Sequence, residues 1–201
     1  MKRVVILGFY ANRDVQLALA QRSFSESRHD GEDILPKAFA TFTEKIYKLS
    51  AFHLLPTEFI TSTQAYKEFR PSRMRYLRED QTVSLAKLKL ISPDDDFGKA
   101  GAILKAAAVD GGIVVEAFLT TEVRIAEGDT GSVGGRVKLN VWMVDATGRI
   151  VWHDVVEGNS ETLARVSGGT YTFPNEIQKA VIEGFERASD EAAARLRSRL
   201  P

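Results

Sequence analysis

The sequence predicts one α+β domain, an α/β mixed sheet covered by helices, and three observations lead to this class. A β-branched apolar run opens the chain at residues 4–9. Apolar and polar residues alternate at 137–143, as in a strand with one covered face. A long amphipathic stretch closes the chain at 175–200. Together they predict the element order β-α-β-α-α-β-β-β-α, with a C-terminal antiparallel meander and a long closing helix.

Length and composition are typical of a single globular domain over residues 1–201. A chain of 201 residues can bury roughly 70% of the surface that it exposes when unfolded. Lys plus Arg and Asp plus Glu both number 27, so no net charge attracts the chain to nucleic acid or to an anionic membrane. The chain contains no cysteine, which excludes disulfides, thiolate metal sites and cysteine nucleophiles. No apolar run approaches the ~20 residues of a membrane-spanning helix.

The N-terminal quarter is predicted to hold a strand, a loop and a helix. Residues 4–9 are typical of a central strand buried on both faces, although the basic residues before them also resemble the start of a signal peptide. Asn12 ends the apolar run too early for a signal peptide. Residues 21–35 are polar and predict a loop. A helix is expected from Pro36, which suits a first helical turn, with an inner face formed by Phe39, Phe42, Ile46 and Leu49.

Three more elements are predicted before the meander. Residues 52–55 indicate a second strand, and residues 62–69 a short helix. A longer helix is expected to begin at Ser92-Pro93-Asp94-Asp95, with Ser92 at the N-cap and carboxylates in the first turn. This helix is expected to end at the glycine pair 111–112. The stretch from 70 to 90 receives no assignment.

The C-terminal half is predicted to form a three-stranded meander and one helix. Residues 113–119 indicate a strand, and the glycine-rich residues 126–135 a flexible hairpin tip. A tight turn at 145–148 joins the strand at 137–143 to a strand at 149–156. The closing helix is expected to bury the stripe Ile177, Val181, Phe185, Ala188, Ala192 and Leu196.

Three segments resemble a known group of proteins. These are the opening strand Val4-Val5-Ile6-Leu7-Gly8-Phe9, the helix end and strand at 107–115, and the hairpin at 141–152. The hairpin contains Asp145-Ala146-Thr147-Gly148-Arg149-Ile150-Val151-Trp152, which is similar to the Asp-x-x-Thr-Gly-x-hydrophobic-x-Trp hairpin of the CsgG, LpoB and TolB-N-terminal-like bacterial envelope proteins. Gly8 stands where those proteins usually have proline.

The resemblance implies a bacterial cell-envelope protein that is periplasmic and associated with the outer membrane, commonly as a lipoprotein. Such proteins assemble with or regulate other envelope proteins. The chain has no lipid-acceptor cysteine and no apolar segments suited to the membrane hairpins of a secretion pore. We therefore expect an accessory role, as one component of a larger envelope or secretion machine or as a homo-oligomer. If Met1 is the native start, a cytoplasmic location is the expectation instead.

The residues that could suggest a catalytic or metal site are better explained by structural roles. His29, His53 and His153 have no partner at metal-ligand spacing, so structural or surface roles are favoured. Asp94-Asp95-Asp96 is better suited to a helix start than to a calcium loop. The glycines at 128–135 lack the lysine of a phosphate-binding loop. We predict no catalytic residue, no metal site and no cofactor.

The candidate partner-binding residues are Arg70, Arg73, Arg75, Tyr76 and Arg78. Arginines beside aromatic residues are enriched at protein interfaces. The alternative interpretation is a solvated loop, in which the acidic residues at 79–80 partly balance the charge.

Trp142 and Trp152 fall on neighbouring strands of the predicted hairpin. A tryptophan buries much apolar area, and a sheet face provides it. The sequence therefore predicts a packed cross-strand pair rather than a ligand platform.

The sequence thus favours a non-enzymatic envelope assembly or accessory protein that binds other proteins. Two alternatives remain open. One is a cytosolic enzyme or small-ligand binder with a site between the sheet and the loop at 21–35. The other is a nucleic-acid binder using the stretch 70–89, whose affinity would fall steeply with salt.

Overall fold

The computed structural model describes residues 2–16, 30–49, 51–72, 81–93, 95–128, 130–167, 170–171 and 174–199. Within these ranges the α+β class is confirmed, with the predicted order of major elements. The elements are β1 (Arg3–Asn12), α1 (Asp30–Tyr47), β2 (His53–Leu55), α2 (Glu58–Thr61), α3 (Gln64–Glu68), β3 (Thr82–Ser84), α4 (Phe97–Ala106), β4 (Gly111–Glu127), β5 (Thr130–Asp145), β6 (Ile150–Ser167), β7 (Thr170–Tyr171) and α5 (Pro174–Arg199).

The seven strands of the described chain form one mixed sheet with the path β2-β1-β4-β5-β6-β7. β1 runs parallel to β2 and β4, whereas β4 to β7 are antiparallel neighbours. β2 pairs with the first residues of β1, and β3 pairs with the last residues of β1 along the same edge of that strand. Residues 4–11 of β1 are all buried, so the prediction of a central strand covered on both faces is confirmed.

Helices α1 and α5 cover one face of the sheet. The ring of Phe9 on β1 lies 5.2 Å from that of Phe39 and 5.8 Å from that of Phe42, both on α1. It also lies 6.0 Å from the ring of Phe185 on α5. All six residues of the predicted α5 stripe are buried, so this amphipathic pattern is confirmed.

Helix α3 and the segment 85–91 cover the other face beside β1. The Tyr66 hydroxyl donates to the Leu7 carbonyl at 2.8 Å, and the Tyr10 hydroxyl donates to the Ile91 carbonyl at 3.2 Å. Burial raises the pKa of Tyr66 to about 12. Both phenols therefore act as neutral hydrogen-bond donors that hold these covering segments on β1.

Two predicted helix boundaries are wrong. α1 begins at Asp30 rather than at Pro36, because Ile34 and Leu35 bury their side chains and so extend the apolar face by one turn. α4 begins at Phe97 rather than at Ser92. The Ser92 N–H donates to the carboxylate of Asp96 at 3.1 Å, and Asp96 holds the N-cap position.

The glycine pair 111–112 opens β4 and does not end α4. α4 ends at Ala106, and Ala108 takes the positive φ of 53° beyond it. A Cβ at Gly112 would lie 2.2 Å from Cδ1 of Leu7. Any larger residue at 112 would therefore require the Leu7 side chain to move.

The predicted flexible tip at 126–135 is also wrong. β4 and β5 stay paired as far as Glu127 and Thr130, and the turn uses Gly128 with a φ of 58°. A Cβ at Gly135 would lie 2.3 Å from the Ala180 carbonyl oxygen of α5. Gly135 thus lets the backbone of α5 lie directly on the sheet.

Candidate partner-binding surface

The predicted tight turn after β5 is confirmed and is built around Asp145. One carboxylate oxygen accepts hydrogen bonds from the Thr147 N–H at 2.8 Å, the Thr147 hydroxyl at 2.5 Å and the Arg149 N–H at 3.1 Å. These donors, the Thr147 hydroxyl first, lower the pKa of Asp145 to about 2. Gly148 has a φ of 83°, which favours glycine. The sequence Asp145-Ala146-Thr147-Gly148 thus encodes its own turn geometry.

The two tryptophans of the hairpin lie on opposite faces of the sheet, so the predicted cross-strand pair is wrong. Trp152 is opposite Met143, and Trp142 is opposite His153. Side chains that are directly opposite each other share a face of the sheet, and consecutive residues of a strand point to opposite faces. Because Trp152 is opposite Met143 and not Trp142, the two rings lie on different faces. The Trp142 ring instead stacks on His153 with centroids 5.0 Å apart, and meets Phe97 edge-on at 6.3 Å.

Of the five predicted partner-binding residues, the structure describes Arg70, which is exposed just beyond α3. Arg73, Arg75, Tyr76 and Arg78 lie outside the described residues. We use the name Arg70 segment for residues 70–78. The described residues on either side of 73–80 show how the ends of this segment are held.

Asp96 holds the first end. Its carboxylate is fully buried and accepts from the Ser72 N–H at 3.0 Å and the Ser72 hydroxyl at 2.7 Å. It also accepts from the Ser92 N–H and, at 3.2 Å, from the ammonium group of Lys99. The acidic run 94–96 was predicted to cap a helix. Asp96 does occupy the N-cap of α4, but its side chain ties Ser72 to that helix instead of bonding an N–H within it.

Lys89 also holds the chain just before Arg70. Its ammonium group donates to the carbonyls of Phe69 at 2.6 Å and Lys67 at 2.9 Å, and also to that of Tyr66. It lies 5.3 Å from the Tyr66 ring centroid and 5.7 Å from that of Phe69. Burial, together with the nearby charge of Arg70, lowers the pKa of Lys89. This lysine therefore caps the end of α3 and is not part of a binding surface.

The second end of the segment is attached to the sheet. The Arg13 N–H donates to the Gln81 carbonyl at 2.7 Å, and β3 then pairs with Tyr10, Ala11 and Asn12. The described residues on both sides of 73–80 are thus attached, Ser72 to a buried carboxylate and Gln81 to the residue that follows β1. A segment fixed at both ends loses less conformational entropy on binding than a free one.

Sequence reasoning missed the length of β6. It predicted a strand at 149–156, whereas β6 continues to Ser167 and pairs with β7 only through Val166 and Ser167. Most of its outer edge therefore has no strand partner among the described residues. Buried positions recur at every second residue from 156 to 160. The continuation could not be predicted from this alternation, because Gly158 and Ser160 are not apolar.

The described residues were also compared with the requirements of a metal site and of a membrane-spanning helix. His53 and His153 lie in different strands, and His29 lies outside the described ranges. In those ranges no three His, Asp or Glu side chains come together as metal ligands do. Nor does any described helix combine the length and apolarity needed to cross a membrane.

Comparison with known proteins found no matching family profile and no matching curated sequence. The fold is similar to three solved structures. The hypothetical protein CT253 from Chlamydia trachomatis has a TM-score of 0.44 and 10% identity, covering 99% of this chain and 97% of that one. The lipoprotein GNA1162 from Neisseria meningitidis has a TM-score of 0.36 and 8% identity, covering 98% and 99%. The LpoB C-terminal domain from Salmonella enterica has a TM-score of 0.30 and 12% identity, covering 78% and 81%. At these scores the likeness carries no functional argument.

Proposed function

We propose that this chain is a non-enzymatic accessory or assembly protein of the bacterial cell envelope that acts by binding another envelope protein. The observation that carries the proposal is the hairpin at 141–152. Its residues resemble the hairpin of CsgG-, LpoB- and TolB-N-terminal-like proteins, and Asp145 closes the turn with hydrogen bonds from Thr147 and Arg149. The proposed location is the periplasm, in association with the outer membrane through a lipid anchor or a partner.

The proposed binding surface is the Arg70 segment. Guanidinium groups bind carboxylates with two parallel hydrogen bonds, and Tyr76 would add an amphipathic contact. Lys89 and Asp96 fix the described residues on either side of Arg70, so the backbone at Arg70 is positioned before a partner arrives. The partner is therefore expected to present an acidic surface.

Affinity capture tests this proposal. The tagged chain is incubated with detergent-solubilised envelope fractions from the encoding organism, and captured proteins are identified by mass spectrometry. An envelope protein is expected to be captured, and the double charge reversal Arg70→Glu/Arg73→Glu should reduce its capture by about tenfold or more, since hydrogen bonds between charged groups contribute about 1.5–3 kcal/mol each.

The matched control is the double charge reversal Lys37→Glu/Lys179→Glu, at two exposed lysines on α1 and α5. It should leave capture unchanged. Recovery of cytosolic proteins alone would contradict the envelope role. Equal capture by the Arg70 variant and the control would contradict the proposed surface.

A further inference from the structure

The outer edge of β6 presents backbone groups at regular spacing. Gly135 on β5 directs its N–H towards β6, where the Ser160 hydroxyl accepts it at 2.8 Å. By the alternation of antiparallel strands, residues 154, 156 and 158 then bond to β5, and residues 153, 155, 157 and 159 direct their N–H and carbonyl groups outwards. In the described chain, no strand pairs with this part of the edge.

The distal part of the edge is already covered by α5. The Glu183 carboxylate accepts from the N–H groups of Glu161 at 2.9 Å and Thr162 at 3.0 Å, and the Glu176 carboxylate accepts from that of Arg165 at 3.2 Å. These contacts resemble the devices by which proteins block exposed strand edges. Only the stretch from 153 to 159 is left for another strand.

Within this stretch, Val155 already has local partners that a strand can replace. Its N–H donates to the Asp154 carboxylate at 2.8 Å, and Arg195 approaches its carbonyl oxygen at 3.4 Å. Both contacts lie at the exposed surface. Exposed hydrogen bonds of this kind exchange readily for others at little net cost.

The side chains along this edge are arranged symmetrically about Val155. His153, Val155 and Glu157 share one face of the strand and are exposed, with Val155 at 36%. Stacking on Trp142 orients His153, and a 2.7 Å ion pair with Arg136 orients Glu157. A two-fold rotation about Val155 would therefore bring the hydrogen-bond donor His153 of one copy to the acceptor Glu157 of the other, and would bring the two Val155 side chains together.

We propose that a second copy of this chain pairs with the β6 edge, antiparallel and with the two-fold axis at Val155. This register places Val155 against its own copy and each His153 against Glu157 of the other copy. The registers centred on residues 153 and 157 would oppose like side chains, His to His and Glu to Glu, the latter a repulsive pair. The two sheets then continue as one, in an isologous interface.

Single-cysteine cross-linking tests the register, because the chain contains no cysteine. Directly opposed residues of such a pair have Cα atoms about 5.5 Å apart, within the disulfide range. Under mild oxidation, Val155→Cys is expected to form a covalent dimer at least about tenfold faster than Ile125→Cys, an exposed residue at the β4–β5 turn. Asn159→Cys should also be slow, because residue 159 opposes residue 151 and not itself.

Light scattering tests the association without cysteines. The unsubstituted chain should have twice its 22.3 kDa mass at high concentration. Val155→Lys places like charges against each other at the axis and should remain monomeric, whereas Ile125→Lys should still dimerise. A monomeric unsubstituted chain, or equal cross-linking rates at 155, 125 and 159, would overturn the proposal. Arg70 lies beyond α3 and not on β6, so the charge reversal at Arg70 and Arg73 should leave dimer formation unchanged, and the two proposals fail separately.

Discussion

Asp96 connects segments that lie far apart in sequence. Its buried carboxylate accepts hydrogen bonds from Ser72 and Ser92 and contacts Lys99. No local pattern indicates this role, because Ser72 is 24 residues away. The acidic run could be recognised as a helix start, but the partner of its last carboxylate depends on the tertiary fold.

Replacing Asp96 with Asn should destabilise the chain. Asparagine has one acceptor oxygen in place of two and carries no charge, so it cannot satisfy the donors of Ser72, Ser92 and Lys99 together, at a cost of about 1–3 kcal/mol. Urea unfolding of Asp96→Asn measures the loss. The exposed control Asp14→Asn should change the free energy of unfolding by less than about 0.5 kcal/mol. Equal effects of the two substitutions would contradict the assigned role.

Two carboxylates should make stability depend on acid pH. The pKa values of Asp145 and Glu183 are both lowered to about 2, mainly by the hydroxyls of Thr147 and Thr162 and by neighbouring backbone N–H groups. A carboxylate whose pKa is lowered by folding stabilises the fold at any pH above its ordinary pKa, which is 3.8 for Asp145 and 4.5 for Glu183. This stabilisation is lost as the pH falls from these values towards 2.

We therefore expect the free energy of unfolding to decrease between about pH 4.5 and pH 2. Asp145→Asn/Glu183→Gln should be less stable than the unsubstituted chain at pH 7 and should show a shallower decrease. Urea unfolding across this pH range provides the measurement. Parallel pH profiles for the two proteins would show that these carboxylates are not responsible.

At the scale of elements, α5 lies close to the sheet because glycines remove side chains from the contact. A Cβ at Gly158 would lie 2.1 Å from the Gly184 carbonyl oxygen and 2.4 Å from the Ala188 backbone nitrogen. The apolar stripe of α5 was predictable from its own periodicity. Gly135 was assigned to a flexible tip, and Gly158 fell beyond the predicted strand, because the role of both depends on a helix that follows later in the chain.

Gly158→Ala should therefore force α5 away from the sheet and cost about 2–4 kcal/mol, since both clashing atoms belong to backbone. Gly98→Ala is the control. A Cβ at Gly98 in α4 meets nothing within 4 Å, and alanine should stabilise that helix by about 0.5–1 kcal/mol. Thermal unfolding distinguishes the two. A neutral Gly158→Ala would contradict the close packing of α5.

At the scale of the whole molecule, the fold class and the order of the main elements followed from local patterns. The central strand, the meander and α5 each carry a periodicity that their own residues define. β3 and β7 were missed because they are short and contain few apolar residues, and tertiary pairing determines them. The register that separates Trp142 from Trp152 likewise depends on how β5 and β6 align.

The candidate binding surface was less predictable than the fold. The sequence proposed Arg70 and its neighbours from charge and aromatic content alone, and the Asp96, Lys89 and Gln81 contacts that hold the segment became visible only in three dimensions. Of the predicted loop at 21–35, which the alternative ligand site uses, residues 30–35 belong to α1 and residues 21–29 lie outside the described residues.

Photo-cross-linking in living cells tests the central claim most directly. A photoreactive phenylalanine analogue replaces Tyr76 in the Arg70 segment or, as a control, the 65% exposed Tyr47 on α1. The account predicts a cross-linked adduct with a cell-envelope protein from position 76 and none with that protein from position 47. Adducts with cytosolic proteins only, or the same adducts from both positions, would contradict it.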